Sequence, residues 1–126
     1  MHYVDGFVVP VPRAQLDAYR KLAETAGTVW REYGALQYWE CVGDDIPAGK
    51  LTSFALAVQL KDDEVPVFSW IVYPSRAERD RINAAVMQDP RIAGMGPEQM
   101  PFDARRMFWG GFSSLVELGA SGQPTA

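Results

Sequence analysis

The sequence predicts an α+β fold built from four strands and two amphipathic helices. Three features support this prediction: β-branched and aromatic runs that end at Pro or Gly, an apolar stripe of helical period, and a capping-box spacing before a second helix. A chain of 126 residues has the length of one domain, and it buries roughly two thirds of its unfolded surface on folding. We therefore expect a single domain over residues 1–118 and a small, polar, flexible tail over residues 119–126.

The first two predicted elements are a strand and a long helix. The strand YVDGFVVPV begins at Tyr3, and we expect Pro10 and Pro12 to end it because proline cannot donate to a strand ladder. From Arg13 onwards apolar residues recur every three or four positions, and Gly34 follows where a left-handed cap is favoured. The stripe consists of Leu16, Tyr19, Ala23, Ala26, Trp30 and Tyr33.

Two more strands are predicted in the middle of the chain. The first is ALQYWECVG, residues 35–43, in which neither alternating face is plainly a face for water. The second is VPVFSWIVY, residues 65–73, which ends at Pro74 and places Phe68 and Trp70 opposite Val67 and Ser69. Between them, DDIPAGK is a loop and KDDE a charged turn, whereas residues 51–60 are ambiguous between a strand and an irregular turn and helix.

A second helix and a last strand complete the pattern. Ser75 and Glu78 have capping-box spacing, which predicts that a helix begins at Ser75, and Pro90 ends it. Glycine and proline then mark residues 91–103 as a loop, and RRMFWGGFSSLVEL, residues 105–118, is the predicted last strand. The inward-facing residues of the helix are Ile82, Ala85 and Val86.

The order strand, helix, strand, strand, helix, strand is that of a ferredoxin-like βαββαβ fold. Right-handed crossovers place both helices on one face of an antiparallel sheet and leave the other face bare. Both faces are apolar in this sequence, and a second copy of the chain is the simplest cover for the bare one. We therefore predict a homodimer whose sheets face each other around a shared interior, a dimeric α/β barrel.

Composition excludes several classes of partner and cofactor. A formal net charge of −4 counts against nucleic acid, and no apolar run approaches the length of a membrane span. The chain has one histidine, His2, and one cysteine, Cys41, so no cluster for zinc or a redox metal exists and haem with histidine ligation is disfavoured. Without a nearby histidine, Cys41 is expected to be a small buried residue. We expect no cofactor or metal and, given the lone cysteine and no leader, a cytoplasmic location.

Four segments carry a resemblance to a known family: YVDGFVVPVP, ECVGDDIPAGK, VFSWIVYPS and MPFDARRMFWGGF. They resemble the YbaA-like family of short bacterial proteins, a domain of unknown function, over Tyr3 to Val116. The family resembles the dimeric α/β-barrel superfamily of cofactor-free monooxygenases, isomerases, lyases, haem-binding members and stress proteins. The resemblance therefore implies the fold and the dimer but no single reaction. In one departure, this chain has Ala104 and Arg105 where the family has glycine and lysine, which affects the backbone of that turn.

The first candidate site is the corner formed by Asp103, Arg105 and Arg106. A carboxylate between a loop and a strand can act as a base or anchor a ligand, and a neighbouring guanidinium would hold it ionised. That state suits anchoring better than proton abstraction. The alternative is a structural ion pair or turn cap.

Glu40 is the second candidate, because it lies within a strand among aromatic residues, where an unpaired charge is costly. Three placements are open. Glu40 is paired with Arg31, Arg105 or Arg106, lies out at the rim of the sheet, or faces a wet interior where it serves a ligand.

Aromatic side chains supply further candidate ligand contacts, namely Trp39, Trp70 and Trp109. Strand aromatics more often fill the core or a dimer interface, so packing is the alternative for each of them. The neighbouring Gly110 and Gly111 are interpreted as a packing device, since mid-strand glycines allow a ring or another backbone to approach closely.

Two functional hypotheses follow. In the first, a small ligand, with aromatic compounds among the candidates, binds in a pocket between the sheet and the loop GPEQMPFDARR, and the polar groups are Glu40, Asp103, Arg105 and Arg106. In the second, the chain is a non-enzymatic stress or regulatory dimer. The first requires an interior pocket of at least about 300 Å³, and the second requires aromatics packed at core density. Whether the protein is an enzyme stays open.

Overall fold

The structure, a computed structural model, describes residues 1–119. This part of the chain forms four strands and four helices. Most of the predicted flexible tail, residues 120–126, lies outside the described residues. The strands are β1 (Tyr3–Pro12), β2 (Gln37–Val42), β3 (Glu64–Tyr73) and β4 (Phe108–Ser113). The helices are α1 (Leu16–Glu32), α2 (Phe54–Ala57), α3 (Arg76–Gln88) and α4 (Pro90–Ala93), with 3-10 turns at Arg13–Gln15 and Pro97–Gln99.

The four strands make one antiparallel sheet in the spatial order β2-β3-β1-β4. This order and the two helical crossovers confirm the ferredoxin-like βαββαβ fold. The sheet is open, with β2 and β4 at its edges, because neither strand pairs with the other within the described residues.

The central pair, β1 and β3, runs in register from Tyr3 opposite Tyr73 to Pro12 opposite Glu64. The prediction that Pro10 ends β1 is wrong, since the strand continues to Pro12. Pro10 lies opposite another proline, Pro66, and β4 extends only as far as the residue opposite Val8. Among residues 1–119 no third strand therefore borders Pro10, and there the missing N–H leaves no ladder bond unmade.

Helix α1 packs its apolar stripe on one face of the sheet, and Tyr19 and Ala23 of that stripe are buried. Val29, which is absent from the predicted stripe, is also fully buried in a core cluster with residues of α3. Gly34 has a φ of 119°, as a left-handed cap requires. None of the helices described in residues 1–119 is both long and apolar enough to cross a membrane.

Helix α3 begins after Ser75, whose Oγ accepts a hydrogen bond from the Glu78 N–H at 3.1 Å. This N-cap bears out the predicted start, and Ile82 and Val86 are buried as expected. Pro90 does follow the end of α3, but it also opens the one-turn helix α4 within a region predicted to be mostly loop.

The last strand differs from the sequence prediction in extent, and residues 51–60 take one of the two forms that the sequence left open. The last strand, predicted over residues 105–118, is limited to Phe108–Ser113 because only this part pairs with β1. The ambiguous residues 51–60 contain the short helix α2, which is capped by the Ser53 hydroxyl accepting from the Leu56 N–H at 2.9 Å.

Helices α1 and α3 cover one face of the sheet, and we call the opposite side the open face. On β3 the predicted alternation holds, with Val67, Ser69 and Ile71 buried toward the helices and Phe68 and Trp70 turned to the open face. The aromatic residues of the open face are Trp39, Phe68, Trp70, Phe108 and Phe112. Helix α2 shields only part of this surface, where the Phe54 ring packs edge-on against Phe68.

Candidate ligand-binding site

A cavity of about 140 Å³ lies between α1, the helix-covered face of the sheet and the segment that precedes β4. Its walls are apolar and aromatic, and they include Phe7, Ile71, Met100, Phe102 and Met107. Its polar groups are Tyr19, Tyr38, Glu40 and Ser69, and we call it the Glu40 cavity.

A larger groove of about 1060 Å³ runs along the edge of the sheet between α1 and β2 and opens to solvent. This α1–β2 groove shares Tyr19, Ala23, Tyr38 and Glu40 with the cavity. The Glu40 carboxylate therefore lies at the junction of an apolar interior and a solvent-accessible groove.

Two phenol groups hold the Glu40 carboxylate. The Tyr19 hydroxyl donates to Oε1 at 2.7 Å, and the Tyr38 hydroxyl donates to Oε2 at 2.7 Å. The strand period of two places Tyr38 and Glu40 on the same face of β2, and α1 brings Tyr19 to them across 21 residues of sequence. No Lys, Arg or His among residues 1–119 forms an ion pair with Glu40.

The arginines that the sequence offered as partners of Glu40 bind elsewhere. Arg31 donates from Nη1 to the carbonyls of Ala35 and Leu36, at 2.7 and 3.0 Å. Arg105 and Arg106 belong to a separate cluster around Asp103. None of these arginines pairs with Glu40, which borders both a cavity and a groove that opens to solvent.

Burial governs the protonation of this cluster. It raises the pKa of Glu40, and the Tyr19, Tyr38 and Ser69 hydroxyls offset part of that rise. Burial, followed by the neighbouring Glu40 charge, also raises the pKa of both tyrosines, so the two phenols keep their protons. Perturbed pKa values cluster at functional sites, so a carboxyl whose pKa is raised by burial in a cleft is a candidate functional group.

Gly27 of α1 determines where the Tyr38 ring can lie. A Cβ at this position would be 2.6 Å from Tyr38 Cδ1, so only glycine lets the ring rest against the helix with its hydroxyl on Glu40. Sequence reasoning missed the parts played by Gly27, Tyr19 and Tyr38. The sequence did contain one signal, a glycine in the middle of a strongly amphipathic helix. Glycine lowers the stability of a helix, so its presence there indicates that a side chain at this position would collide with a neighbour.

The corner at Asp103 is an ion-pair network distinct from the cavity. Asp103 accepts from Arg105 Nε at 3.1 Å and from Arg106 Nε at 3.0 Å. Arg106 also donates to both carboxylate oxygens of Glu64, at 2.7 and 2.6 Å, and its side chain is only 13% exposed. The hydrogen bonds from Arg105 and Arg106 hold the pKa of Asp103 well below its usual range. This geometry ties the start of β3 to the segment before β4.

The three tryptophans do not converge on one site. Trp39 and Trp70 stack on the open face with ring centroids 5.6 Å apart and planes 6° apart. Trp109 lies on the helix-covered face, where it stacks on Phe7 at 6.3 Å. None of the three lines the Glu40 cavity, although Trp39 borders the α1–β2 groove.

A second buried polar network explains one of the paired glycines in β4. Asp5 is 1% exposed, and it accepts from Arg79 Nε at 3.2 Å and from the Tyr73 hydroxyl at 3.0 Å. The Arg79 guanidinium passes over β4, where a Cβ on Gly111 would clash with it and with the Tyr3 hydroxyl. Glycine at position 111 thus leaves the space in which the Arg79 guanidinium approaches β4.

Comparison with known proteins agrees with this fold. The curated Uncharacterized protein YbaA of Escherichia coli (strain K12) is 50% identical over 117 residues, which cover 93% of this chain and 99% of that protein. An equally similar Uncharacterized protein YbaA occurs in Shigella flexneri.

Solved structures share the architecture at low sequence identity. A dimeric ferredoxin-like protein from an uncultured marine organism has a TM-score of 0.58 and 14% identity, covering 94% of this chain and 100% of that chain. A putative antibiotic biosynthesis monooxygenase from Nitrosomonas europaea has a TM-score of 0.56 and 15% identity, covering 94% of each chain. An uncharacterized NIPSNAP domain protein from Burkholderia xenovorans has a TM-score of 0.55 and 12% identity, covering 90% of this chain and 95% of that chain. These likenesses show the fold alone.

Fold and site together define a ferredoxin-like α+β protein with an apolar, carboxylate-containing cavity between its sheet and its first helix. The family described as "Protein of unknown function (DUF1428)" matches residues 2–104. The chain belongs to this family.

Proposed function

We propose that the protein binds a small ligand in the Glu40 cavity. The observation that carries the proposal is a partly buried carboxylate held by two phenols and given no cationic partner by residues 1–119. Partial burial of a carboxylate without a cationic partner is costly, so packing alone gives little reason to keep one here. Glu40 lies where the cavity meets the solvent-accessible groove.

Cavity size limits the bound part of the ligand. The cavity volume of about 140 Å³ falls short of the roughly 300 Å³ or more expected of a complete small-molecule pocket. We therefore propose that a body no larger than one substituted ring occupies the cavity and that any longer substituent extends into the α1–β2 groove. The flexible thioether side chains of Met100 and Met107 are suited to adjusting around such a body.

We further propose that the chain is a cytoplasmic homodimer joined through its open face. Trp39, Phe68, Phe108 and Phe112 are each between 44% and 62% exposed there, and exposed apolar side chains gathered on one face are typical of an interaction surface. A structural neighbour is described as a dimeric ferredoxin-like protein, which supports the same assembly. A dimer that serves only as a stress or regulatory interaction module remains the alternative, although that function gives the Glu40 cavity no role.

Methionine-methyl NMR tests the binding proposal. Met100 and Met107 line the cavity, whereas Met87 is 54% exposed on α3 and serves as an internal control. We expect a screen of ring-sized compounds to yield at least one that shifts the Met100 and Met107 methyl signals and leaves Met87 unchanged.

Two amide substitutions separate the cavity from the Asp103 corner. Glu40→Gln should weaken binding of any such compound, and Asp103→Asn, the same chemical change outside the cavity, should not. Binding that survives Glu40→Gln unchanged, or a complete lack of cavity shifts across the screen, would refute the proposal.

A further inference from the structure

The hydrogen-bond inventory of the Glu40 cluster restricts what a ligand can offer. Each phenol carries one hydrogen-bond donor, and Tyr19 and Tyr38 both donate it to Glu40. What the cluster leaves free is acceptor capacity, namely the remaining lone pairs of the carboxylate and of the two phenol oxygens. A ligand that reaches this cluster must therefore donate hydrogen bonds.

Charge around the entrance favours a cation over a neutral donor. The α1–β2 groove is lined by four carboxylates and by only two guanidinium groups. Both guanidiniums are engaged: Arg20 pairs with Asp17 and Glu24, and Arg31 donates to backbone carbonyls. Three of the four carboxylates are paired as well, Asp17 and Glu24 with Arg20 and Glu32 with Arg91. Glu40 is the lining carboxylate that no cation of residues 1–119 neutralises, and this charge favours a cationic ligand over an anionic one.

The cavity walls suit the apolar body of such a ligand. Phe102 meets Tyr19 edge to face, with centroids 5.7 Å apart, and the sulfur atoms of Met100 and Met107 complete the lining. Aromatic faces and thioethers stabilise an apolar group and, where a ring face is presented, a neighbouring cation as well. Because Glu40 borders both spaces, the charged end would stay partly hydrated in the groove while the body is buried, which lowers its desolvation cost.

We infer that the ligand is a small organic cation, a protonated amine on an apolar body, whose ammonium group donates to Glu40 from the groove side. This inference rests on the proposed function, since it assigns the ligand class of the same cavity. The ammonium would supply the counter-charge that residues 1–119 do not provide to this carboxylate.

Three compounds with one ring and different head groups test the inference: benzylamine, benzyl alcohol and benzoate. Each is titrated into the full chain at neutral pH and moderate salt, with the Met100 and Met107 methyl signals as the readout. We expect benzylamine to bind about tenfold more tightly than benzyl alcohol, because a charge-assisted hydrogen bond is roughly twice as strong as a neutral one, and benzoate to bind most weakly.

A substitution identifies the group responsible for the preference. In Glu40→Gln, benzylamine should lose its advantage over benzyl alcohol, whereas Asp103→Asn should keep it. An advantage that persists in Glu40→Gln would overturn the inference. The comparison of the three compounds in the unaltered chain needs no variant, so it decides the matter even if Glu40→Gln does not fold.

The two levels of the proposal fail in different ways. If benzyl alcohol or benzoate binds as tightly as benzylamine and that binding depends on Glu40, the cavity is a ligand site and the cationic class is wrong. If none of the three shifts the methyl signals at millimolar concentration, both the ligand class and the Glu40 cavity as a binding site are contradicted.

Discussion

At the scale of single residues, Gly27 has the clearest steric role. Alanine normally stabilises a helix by about 1 kcal/mol relative to glycine, but here its Cβ would lie 2.6 Å from the Tyr38 ring. We expect Gly27→Ala to displace Tyr38 and lower the free energy of unfolding by about 1–3 kcal/mol, the usual cost of overpacking. Gly94→Ala is the control, because a Cβ there meets no atom within 4 Å. Equal stability of the two variants in urea unfolding would remove Gly27 as the residue that positions Tyr38.

Glu40 and Asp103 should respond to pH in opposite directions. Because burial raises the pKa of Glu40, the folded state binds its proton more tightly, so this group's contribution to stability falls as pH rises above the ordinary glutamate pKa of about 4.3. The pKa of Asp103 is lowered by its arginines, so its contribution is present at neutral pH and is lost in acid.

The two variants are therefore expected to diverge from the unaltered chain in different pH windows. Relative to the unaltered chain, Glu40→Gln should gain stability as pH rises from about 4 to neutral, whereas the deficit of Asp103→Asn should already be present at about pH 4 and shrink as pH falls further. Urea unfolding of the three chains at about pH 3, pH 4 and neutral pH measures this. A Glu40→Gln curve parallel to that of the unaltered chain would mean that the carboxylate is not desolvated.

The sequence identifies a candidate functional residue when the chemistry of that residue is unusual for its neighbours. Glu40 could be singled out because a charge within an aromatic strand needs an explanation, and the structure supplies one. Tyr19 and Gly27 could not, because their roles arise only when α1 is laid against β2. Asp103 was recognisable as a polar corner, but its connection to Glu64 spans nearly 40 residues and leaves no local trace.

At the scale of elements, the pair Arg106 and Glu64 joins the segment before β4 to the start of β3. Glu64 is buried and accepts two hydrogen bonds from Arg106, which also binds the carbonyls of Val58 and Gln59 after α2. We expect Glu64→Gln to lower the free energy of unfolding by about 1–3 kcal/mol, because it leaves a buried guanidinium imperfectly paired.

Arg105→Ala provides the comparison for that variant. The Arg105 side chain is 90% exposed, so its loss should change stability little even though it also pairs with Asp103. If chemical denaturation finds Glu64→Gln and Arg105→Ala equally stable, the Arg106–Glu64 pair does not stabilise the link between β3 and the segment before β4.

Element types and order followed from periodicity, whereas element lengths did not. The 3.6-residue stripe of α1 and the Ser75 cap were local signals and were sufficient. The extent of β4 depends on how far β1 offers a partner, and helix α2 is too short for a periodic pattern. Its one local signal was the serine cap at Ser53.

At the scale of the whole molecule, the two faces of the sheet present a matched pair of tryptophans. Trp39 on the open face is 55% exposed, and Trp109 on the helix-covered face is 56% exposed. If the open face is the dimer interface, Trp39→Lys should produce monomers by placing a charge between two sheets, while Trp109→Lys should remain dimeric. Light scattering at micromolar concentration distinguishes these outcomes, and an unaltered chain that is itself monomeric would contradict the assembly.

The whole fold was predictable because six elements in this order leave few topologies, but the position of the cavity was not. The predicted site combined Glu40 with the Asp103 corner, and the structure separates them, since Asp103 turns its carboxylate to its own arginines. Which polar residues share a space depends on how α1 and the segment before β4 close over the sheet. That is a property of packing at long sequence separation, which periodicity does not encode.

The most direct test of the central claim is a crystal structure of the chain soaked with benzylamine. We expect electron density for the ring among Met100, Phe102 and Met107, with the nitrogen at hydrogen-bond distance, about 2.7–3.0 Å, from a carboxylate oxygen of Glu40. A cavity filled by repacked side chains, or a ligand found only on the open face, would contradict the claim that Glu40 marks a binding site.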